Sequence, residues 1–227
     1  MVLRIGHRGA KGYAPENTLL SFKKAIGLGI DMIETDARKC KSGELVVFHD
    51  PTLGRMTDGR GRVSQKTLEQ LKKLSIIGEE REKIPTLREV LDLVNRKTCI
   101  CVDIKTRGVA DPLAKLIKEY LTRGWRPENF LVCSRIVGEL KYFKKLCPRI
   151  RIGLLFSAFP FGKIRLAKKI GAYSLHPIRF FSSEKIIEAA HENGLKVFSW
   201  TINNPEKIEK MKKMGVDGII SNFPDRV

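Results

Sequence analysis

The sequence predicts an α/β protein folded as a (β/α)8 TIM barrel, and three observations lead there. Eight short apolar runs alternate with helical patterns along 227 residues, so each strand is followed by something able to cross back over a parallel sheet. Glycine stands just before several of these runs, at Gly29, Gly171, Gly194 and Gly215, where a helix would stop. The last three recur about every twenty residues, the length of one compact αβ unit, and GIDMIET at 29–35 echoes GVDGIIS at 215–221. An open doubly wound sheet is the alternative. A closed barrel carries a further expectation: its chemistry sits at the C-terminal ends of the strands.

The strands are expected at 3–7 (LRIGH), 31–36 (DMIETD), 99–104 (CICVDI), 130–134 (FLVCS), 150–156 (IRIGLLF), 172–176 (AYSLH), 196–200 (KVFSW) and 217–221 (DGIIS). A helix over 18–28 places Leu19, Phe22 and Ile26 on one face. The helix over 204–215 has Asn204 to cap it, Pro205 in its first turn and Gly215 at its stop, with Ile208, Met211 and Met214 as the buried stripe. A ninth run, 45–49 (LVVFH), follows strand 31–36 after only eight residues. A parallel crossover needs a dozen or more, so this run returns antiparallel through a turn at Ser42-Gly43. With Lys41 opposite Glu44, Asp36 would face His49. Residues 50–86 hold no convincing strand and one short helix pattern at 67–74, and read as a small insertion, followed by a helix from about 86 to 96. Residues 1–227 thus read as one barrel domain.

Composition narrows the function classes. With 42% hydrophobic residues the chain has material for one ordinary core. No apolar run approaches the ~20 residues a helix needs to cross a bilayer. The start, Met1-Val2-Leu3-Arg4, lacks the segments of a secretory signal. Five cysteines, Cys40, Cys99, Cys101, Cys133 and Cys147, are an odd number without a framework, and Cys99-x-Cys101 is too sparse for zinc. Reduced thiols and a cytoplasmic location are the expectation. The net charge of +18 is spread along the chain. It attracts anions, whether nucleic acid, anionic lipid or phosphate esters, and most of it reads as a solvated, salt-bridge-laced surface.

Side chains alternate along a strand. Glu34 and Asp36 therefore share a face at the end of their strand, Asp103 and Lys105 do so at the end of theirs, His7 ends the first, and the hairpin delivers His49. Three carboxylates together need a counter-charge, and oxygen ligands suit a hard divalent cation, Mg²⁺ or Ca²⁺, with Mn²⁺ a further option. Taken alone, E-x-D would serve equally as a helix cap or a lysine partner; Asp103 and two histidines at matching strand ends favour a metal. His7 and His49 suit general acid and base. Arg8 and Lys105 suit phosphate binding and the charge of its transition state. His176 and His191 read as structural, His191 on a helix surface and His176 at a strand end within reach of a substrate. Glycines 9 and 12 and Pro15 let the loop GHRGAKGYAPENT turn tightly, and Glu16 and Asn17 either hold it or start the next helix.

GHRG, PENT, IETD, VVFHD, IPTL, the VDIK strand end and WTIN, in this order over nearly the whole chain, resemble the glycerophosphodiester phosphodiesterases. The resemblance implies a (β/α)8 barrel with a small insertion after the H-D motif, and metal-dependent hydrolysis of phosphodiesters to glycerol 3-phosphate and an alcohol. It implies that His7 and His49 are the family's histidine pair, Glu34 and Asp36 its metal-binding E-x-D pair, Arg8 the arginine of H-R-G, Asp103 the third metal carboxylate and Lys105 the lysine two beyond. Trp200 matches the W-T-x-N tryptophan, a wall for the glycerol end or else core packing. The chain departs from the family at Asp103, where Glu is usual, although the related spider-toxin phospholipase D branch resembles this Asp-x-Lys arrangement. It departs again at ISNFP (220–224), where T-D-x-P is usual, which leaves the role of Asn222 open. The implied partner is a small-molecule phosphodiester, with peripheral contact to anionic lipid as an option, no nucleic acid expected and the oligomeric state unread. Two rivals stand beside this. One is a lysophospholipase D whose Phe156, Phe159, Phe161, Tyr173, Phe180 and Phe181 form a groove for an acyl chain, although packing of loops onto the barrel is the preferred account of these aromatics. The other is a basic, non-catalytic phosphate or nucleic-acid binding protein, without any zinc finger, helix-turn-helix or aromatic RNA motif to support it.

Overall fold

The structure is a computed structural model that describes residues 1–78, 80–158 and 160–227; Phe159 of the aromatic set lies outside them. The described strands are β1 (Leu3–Gly6), β2 (Met32–Lys39), β3 (Leu45–Val47), β4 (Cys99–Ile104), β5 (Phe130–Ser134), β6 (Arg151–Phe156), β7 (Ser174–Pro177), β8 (Lys196–Trp200) and β9 (Gly218–Ser221). Eight of them are parallel neighbours in the order β1-β9-β8-β7-β6-β5-β4-β2, and pairing of β1 with β2 closes the ring. The helices are α1 (Leu19–Gly27), α2 (Leu68–Lys73), α3 (Leu87–Val94), α4 (Ala110–Thr122), α5 (Val137–Leu146), α6 (Lys163–Lys169), α7 (Glu184–Glu192) and α8 (Pro205–Lys213). The architecture is the expected TIM barrel. None of the described helices is long and apolar enough to cross a membrane.

Local chemistry explains where helices begin and stop. The side chains of Thr18, Thr67, Thr86 and Asn204 each accept the backbone N–H three residues on, a cap whose loss typically costs about 1 kcal/mol. Gly29, Gly171, Gly194 and Gly215 follow helices at φ between +65° and +85°, which only glycine adopts without strain. The stripe on α1 is shifted from expectation: Ser21, Phe22 and Ala25 are buried, whereas Leu19 and Ile26 are half-buried. Ser21 is buried because its hydroxyl donates to the Arg8 carbonyl at 3.0 Å.

Each barrel strand has two apolar faces, as a parallel sheet covered on both sides requires. Outward residues such as Ile33, Val102, Val132 and Val197 pack with Phe22, Leu91, Leu113 and Ile117 of the helices. Inward residues Ile5, Met32, Cys101, Leu131, Cys133, Leu155, Phe198 and Ile220 fill the barrel itself. The next inward positions along these strands open onto the C-terminal mouth.

The β2–β3 hairpin is antiparallel as expected, but its register differs by one residue. Ala37 pairs with Val47 and Lys39 with Leu45, so Asp36 lies opposite Phe48, whose N–H donates to the Asp36 carbonyl at 3.0 Å, and not opposite His49. The turn holds three residues, 41 to 43, one more than expected: Cys40 faces Glu44, and Gly43 takes φ +105°. A one-residue slip reverses the faces of a strand. Here it sends Phe48 into the apolar cluster of the insertion, with Val46, Leu53, Val63, Leu71, Ile76 and Ile84, and leaves His49 beyond the strand end, free to bend back to the mouth. Pairing with β3 also carries β2 to Lys39, past its expected end.

The aromatic residues divide. Phe156 is buried, and Tyr173 and Phe181 are partly so, but Phe161 and Phe180 are 88% and 72% exposed. Packing of loops onto the barrel therefore does not hold for these two. Phe180 sits in a 3₁₀ turn, Arg179–Phe181, whose successive side chains diverge by about a third of a turn; Phe181 takes the inward position and Phe180 the outward one.

Candidate active site

The inward columns of four strands continue at the mouth into the expected site residues. His7 follows Ile5; Glu34 and Asp36 follow Met32; Asp103 and Lys105 follow Cys101; Trp200 follows Phe198. All eight expected site residues, His7, Arg8, Glu34, Asp36, His49, Asp103, Lys105 and Trp200, line one cavity, together with Arg135 and His176.

The parallel register sets Asp36 directly beside Asp103, and one carboxylate oxygen from each of Glu34, Asp36 and Asp103 lies within 4.8 Å of the others. All three residues are buried. Lys105 Nζ is 3.2 Å from Asp36 Oδ1 and 3.0 Å from Asp103 Oδ2. Arg8 Nε is 3.2 Å from Asp36 Oδ2, and the Arg8 backbone N–H donates to Glu34 Oε2 at 2.9 Å. These cations do not serve the three acids equally. Burial, reinforced by the charge of Asp36, pushes the Glu34 carboxyl far above the carboxylate range, and burial raises Asp103 against the pull of Lys105. Burial also works against Asp36, but Lys105 and Arg8 outweigh it and hold that carboxyl low. Two buried acids thus lack a full counter-charge, and an oxygen-only donor set fits a hard divalent cation, whose charge would ionise them. Asp103, although one methylene shorter than the family's Glu, still brings its oxygen into the group.

A second ring of side chains holds the first. Glu16 accepts Arg8 Nη1 at 2.8 Å, Lys11 Nζ at 2.5 Å and Arg55 Nη2 at 2.5 Å; burial opposes its charge, but hydrogen bonding to Arg55 and the Arg8 charge keep it well below the usual range. Asn17 Nδ2 donates to Asp36 Oδ2 at 2.8 Å. Glu16 and Asn17 therefore hold the site, and the helix start falls to Thr18. Arg8 at φ +52°, Gly9 at +86° and Asn17 at +60° bend the first loop across the mouth. Gly12 is required by close approach, since a Cβ there would lie 2.3 Å from the Phe223 ring.

The histidines have different partners. His7 Nδ1 is 2.6 Å from Asn222 Oδ1, and burial and the Arg8 charge push its pKa down to about 4. His49 Nδ1 is 2.6 Å from Asp50 Oδ1, which also pairs through its other oxygen with Arg55; burial lowers its pKa although the Asp36 charge opposes this. Arg38 Nε donates to the His49 carbonyl at 3.0 Å. An amide oxygen and a carboxylate both accept, so each ring carries its hydrogen on Nδ1 and offers Nε2. His176 is fully buried, with Nε2 2.8 Å from Ser174 Oγ, and its ring lies across Gly153, where a Cβ would come within 2.5 Å of Nε2. Its carbonyl accepts Trp200 Nε1–H at 2.9 Å. His191 is on α7 beside Asp217, remote from this cavity's lining. Arg135 lines the cavity, and Asn222 and Asp50 hold the two histidine rings, contacts that the sequence motifs left unassigned. The signal for two of them was strand parity: Arg135 follows Cys133, and Asn222 follows Ile220, each by two residues.

The chain matches the model of the glycerophosphoryl diester phosphodiesterase family over residues 7–226. It is 40% identical to a glycerophosphodiester phosphodiesterase of Caldanaerobacter subterraneus subsp. tengcongensis, over 98% of this chain and 95% of that protein. It is 33% identical to one of Bacillus altitudinis, over 97% and 94%. A phosphodiesterase of Oleispira antarctica, solved in complex with the product sn-glycerol-3-phosphate, superposes with a TM-score of 0.91 at 30% identity, over 98% of this chain and 93% of that one. A glycerophosphodiester phosphodiesterase of Thermotoga maritima superposes with a TM-score of 0.84 at 29% identity, over 99% and 96%. With its ordered motifs, its barrel and relatives matched along nearly their whole length, the chain belongs to the glycerophosphoryl diester phosphodiesterase family and is an enzyme of that family.

Proposed function

We propose that the protein hydrolyses glycerophosphodiesters to glycerol 3-phosphate and an alcohol with the help of one divalent cation, Mg²⁺ or Ca²⁺, and two histidines. The observation that carries this is the meeting of three buried carboxylates with His7, His49 and Arg8 around one cavity. Glu34, Asp36 and Asp103 would hold the cation, which when bound supplies Lewis-acid polarisation of the phosphoryl group. Arg8 Nε lies 3.2 Å from Asp36 Oδ2 but its N–H is not aligned to hydrogen-bond it, so it has a donor to give to a phosphate oxygen. Lys105 donates a hydrogen bond to Asp103 and is ion-paired with Asp36, and its ammonium carries three hydrogens, which leaves it a donor for substrate. One histidine takes the proton from the attacking oxygen, whether of water or of the substrate's own glycerol hydroxyl. The other, as the imidazolium with a hydrogen on Nε2 as well, gives that proton to the leaving alcohol; exchange with water then resets the pair, and each transfer contributes roughly 10²–10⁴-fold. Trp200 supplies a flat wall for the glycerol end.

The test is release of glycerol 3-phosphate from glycerophosphocholine and glycerophosphoethanolamine, before and after EDTA, with Mg²⁺, Ca²⁺ or Mn²⁺ added back. Turnover should vanish with chelation and return with a cation. Undiminished turnover in metal-free buffer would refute the cation's role. Faster release of choline from lysophosphatidylcholine than from glycerophosphocholine would instead make the enzyme a lysophospholipase D.

A further inference from the structure

We propose that the β6–β7 side of the barrel mouth docks on an anionic lipid surface, with Phe161 and Phe180 inserting among the lipids and Arg165, Arg179 and Lys185 meeting their headgroups. Phe161 and Phe180 are more exposed than any other large hydrophobic residue among those described except Met1. Single exposed apolar residues are ordinary, but these two stand on neighbouring loops. β6 and β7 pair from Gly153 opposite Ser174 to Phe156 opposite Pro177, so the loop with Phe161 and the turn with Phe180 leave the barrel side by side. Both leave at the C-terminal face, the face that carries the cavity lined by His176 and Leu155 of the same two strands.

The charge around them points to lipid. In the two loops and the first turns of α6 and α7, Lys163, Arg165, Arg179 and Lys185 stand against one carboxylate, Glu184. Arg165, Arg179 and Lys185 are exposed. The Arg179 guanidinium lies 4.3 Å from the centroid of the Phe180 ring, which makes one tip that is apolar and cationic at once. A protein partner favours a continuous apolar patch. Separate aromatic rings among cations suit the interface of a bilayer, where rings sit at headgroup level and Lys and Arg meet anionic phosphates. Neither ring is part of the hydrolytic machinery, so the inference stands apart from the proposed reaction.

The test is co-sedimentation of the whole protein with large unilamellar vesicles of phosphatidylglycerol or of phosphatidylcholine, for wild type, F161S, F180S and the double variant. Wild type should partition onto phosphatidylglycerol at least ~10-fold better than onto phosphatidylcholine, and each serine should weaken that partitioning by about tenfold. In F161W, the emission of the new tryptophan should shift to the blue on the anionic vesicles. The double variant should melt like wild type, since it removes no packed side chain. Three results would overturn the proposal: wild type staying in the supernatant with phosphatidylglycerol, a double variant that binds like wild type, or sedimentation velocity showing a wild-type dimer that the double variant loses. None of these readouts uses turnover, so a failed hydrolase assay and a failed lipid assay remain distinct.

Discussion

The mouth of the barrel has two unlike halves. The half built by β1, β2 and β4 is dense with charge: three carboxylates, Arg8, Lys105 and the Glu16 cluster meet there, and Glu34 and Asp103 stay short of a full counter-charge. The half built by β6, β7 and β8 offers a buried neutral histidine, a tryptophan and loops tipped with phenylalanine. One barrel thus separates two tasks. On the proposed reaction, charges preorganised in a low-dielectric pocket would act on a developing transition state, and the Trp200 wall would orient what enters. The difference teaches that net charge was a poor guide to the site. The +18 of the whole chain sits around a reaction centre that is locally short of positive charge.

Substitutions should separate the halves. The largest effect is expected for Asp36→Asn, which removes the acid that holds Lys105, Arg8 and Asn17 together. kcat/KM should fall on the order of 10³-fold or more, and titration calorimetry should show weakened Mn²⁺ binding. His7→Ala and His49→Ala should each cost roughly 10²–10⁴-fold in kcat with little change in melting temperature; full activity in both would end the acid–base assignment. Trp200→Leu, on the other half, should raise KM by about tenfold and leave kcat within a few-fold. Loss of kcat there equal to that of Asp36→Asn would erase the division between the halves.

Two smaller effects follow from protonation. His7 is kept neutral down to about pH 4 by burial and by Arg8, with only an amide beside it. Asn222→Asp puts a carboxylate there, which stabilises the imidazolium and raises that pKa. As pH falls the variant's His7 is protonated sooner, so an NMR titration of the ring should move up by about one unit; the acid limb of the kcat/KM profile moves with it when His7 is the base and stays in place when His49 is. On the other half, burial depresses His176 to about 3. Below pH 6.5 the unfolded chain binds a proton at this residue and the folded chain does not. This contribution to stability is therefore present above about 6.5 and is lost progressively as pH falls toward 3. His176→Leu should flatten the acid limb of denaturant-measured stability by up to ~1.4 kcal/mol per pH unit within that window.

Much of the site was legible because strand parity is local. Once Ile5, Met32 and Cys101 are read as inward, His7, Glu34, Asp36, Asp103 and Lys105 follow at even spacing. The hairpin register was not legible, because either Cys40 or Lys41 could face Glu44 and the choice depends on packing Phe48 under the insertion. Phe180 and Phe181 are adjacent and chemically identical, so nothing in the chain distinguished the ring that packs from the ring that is exposed. Asn222 obeyed parity but broke the family motif, and its role depends on a contact across 215 residues.

By itself the sequence determined the barrel, the order of its strands and the kind of side chain at each strand end, since alternation, caps and glycine stops act over a few residues. Only the tertiary structure decided which charges meet and which stay short of a partner. Ring closure joins β1 to β9 and β2 to β4 through hydrogen bonds between distant segments, and burial then sets the strength of every charge gathered there.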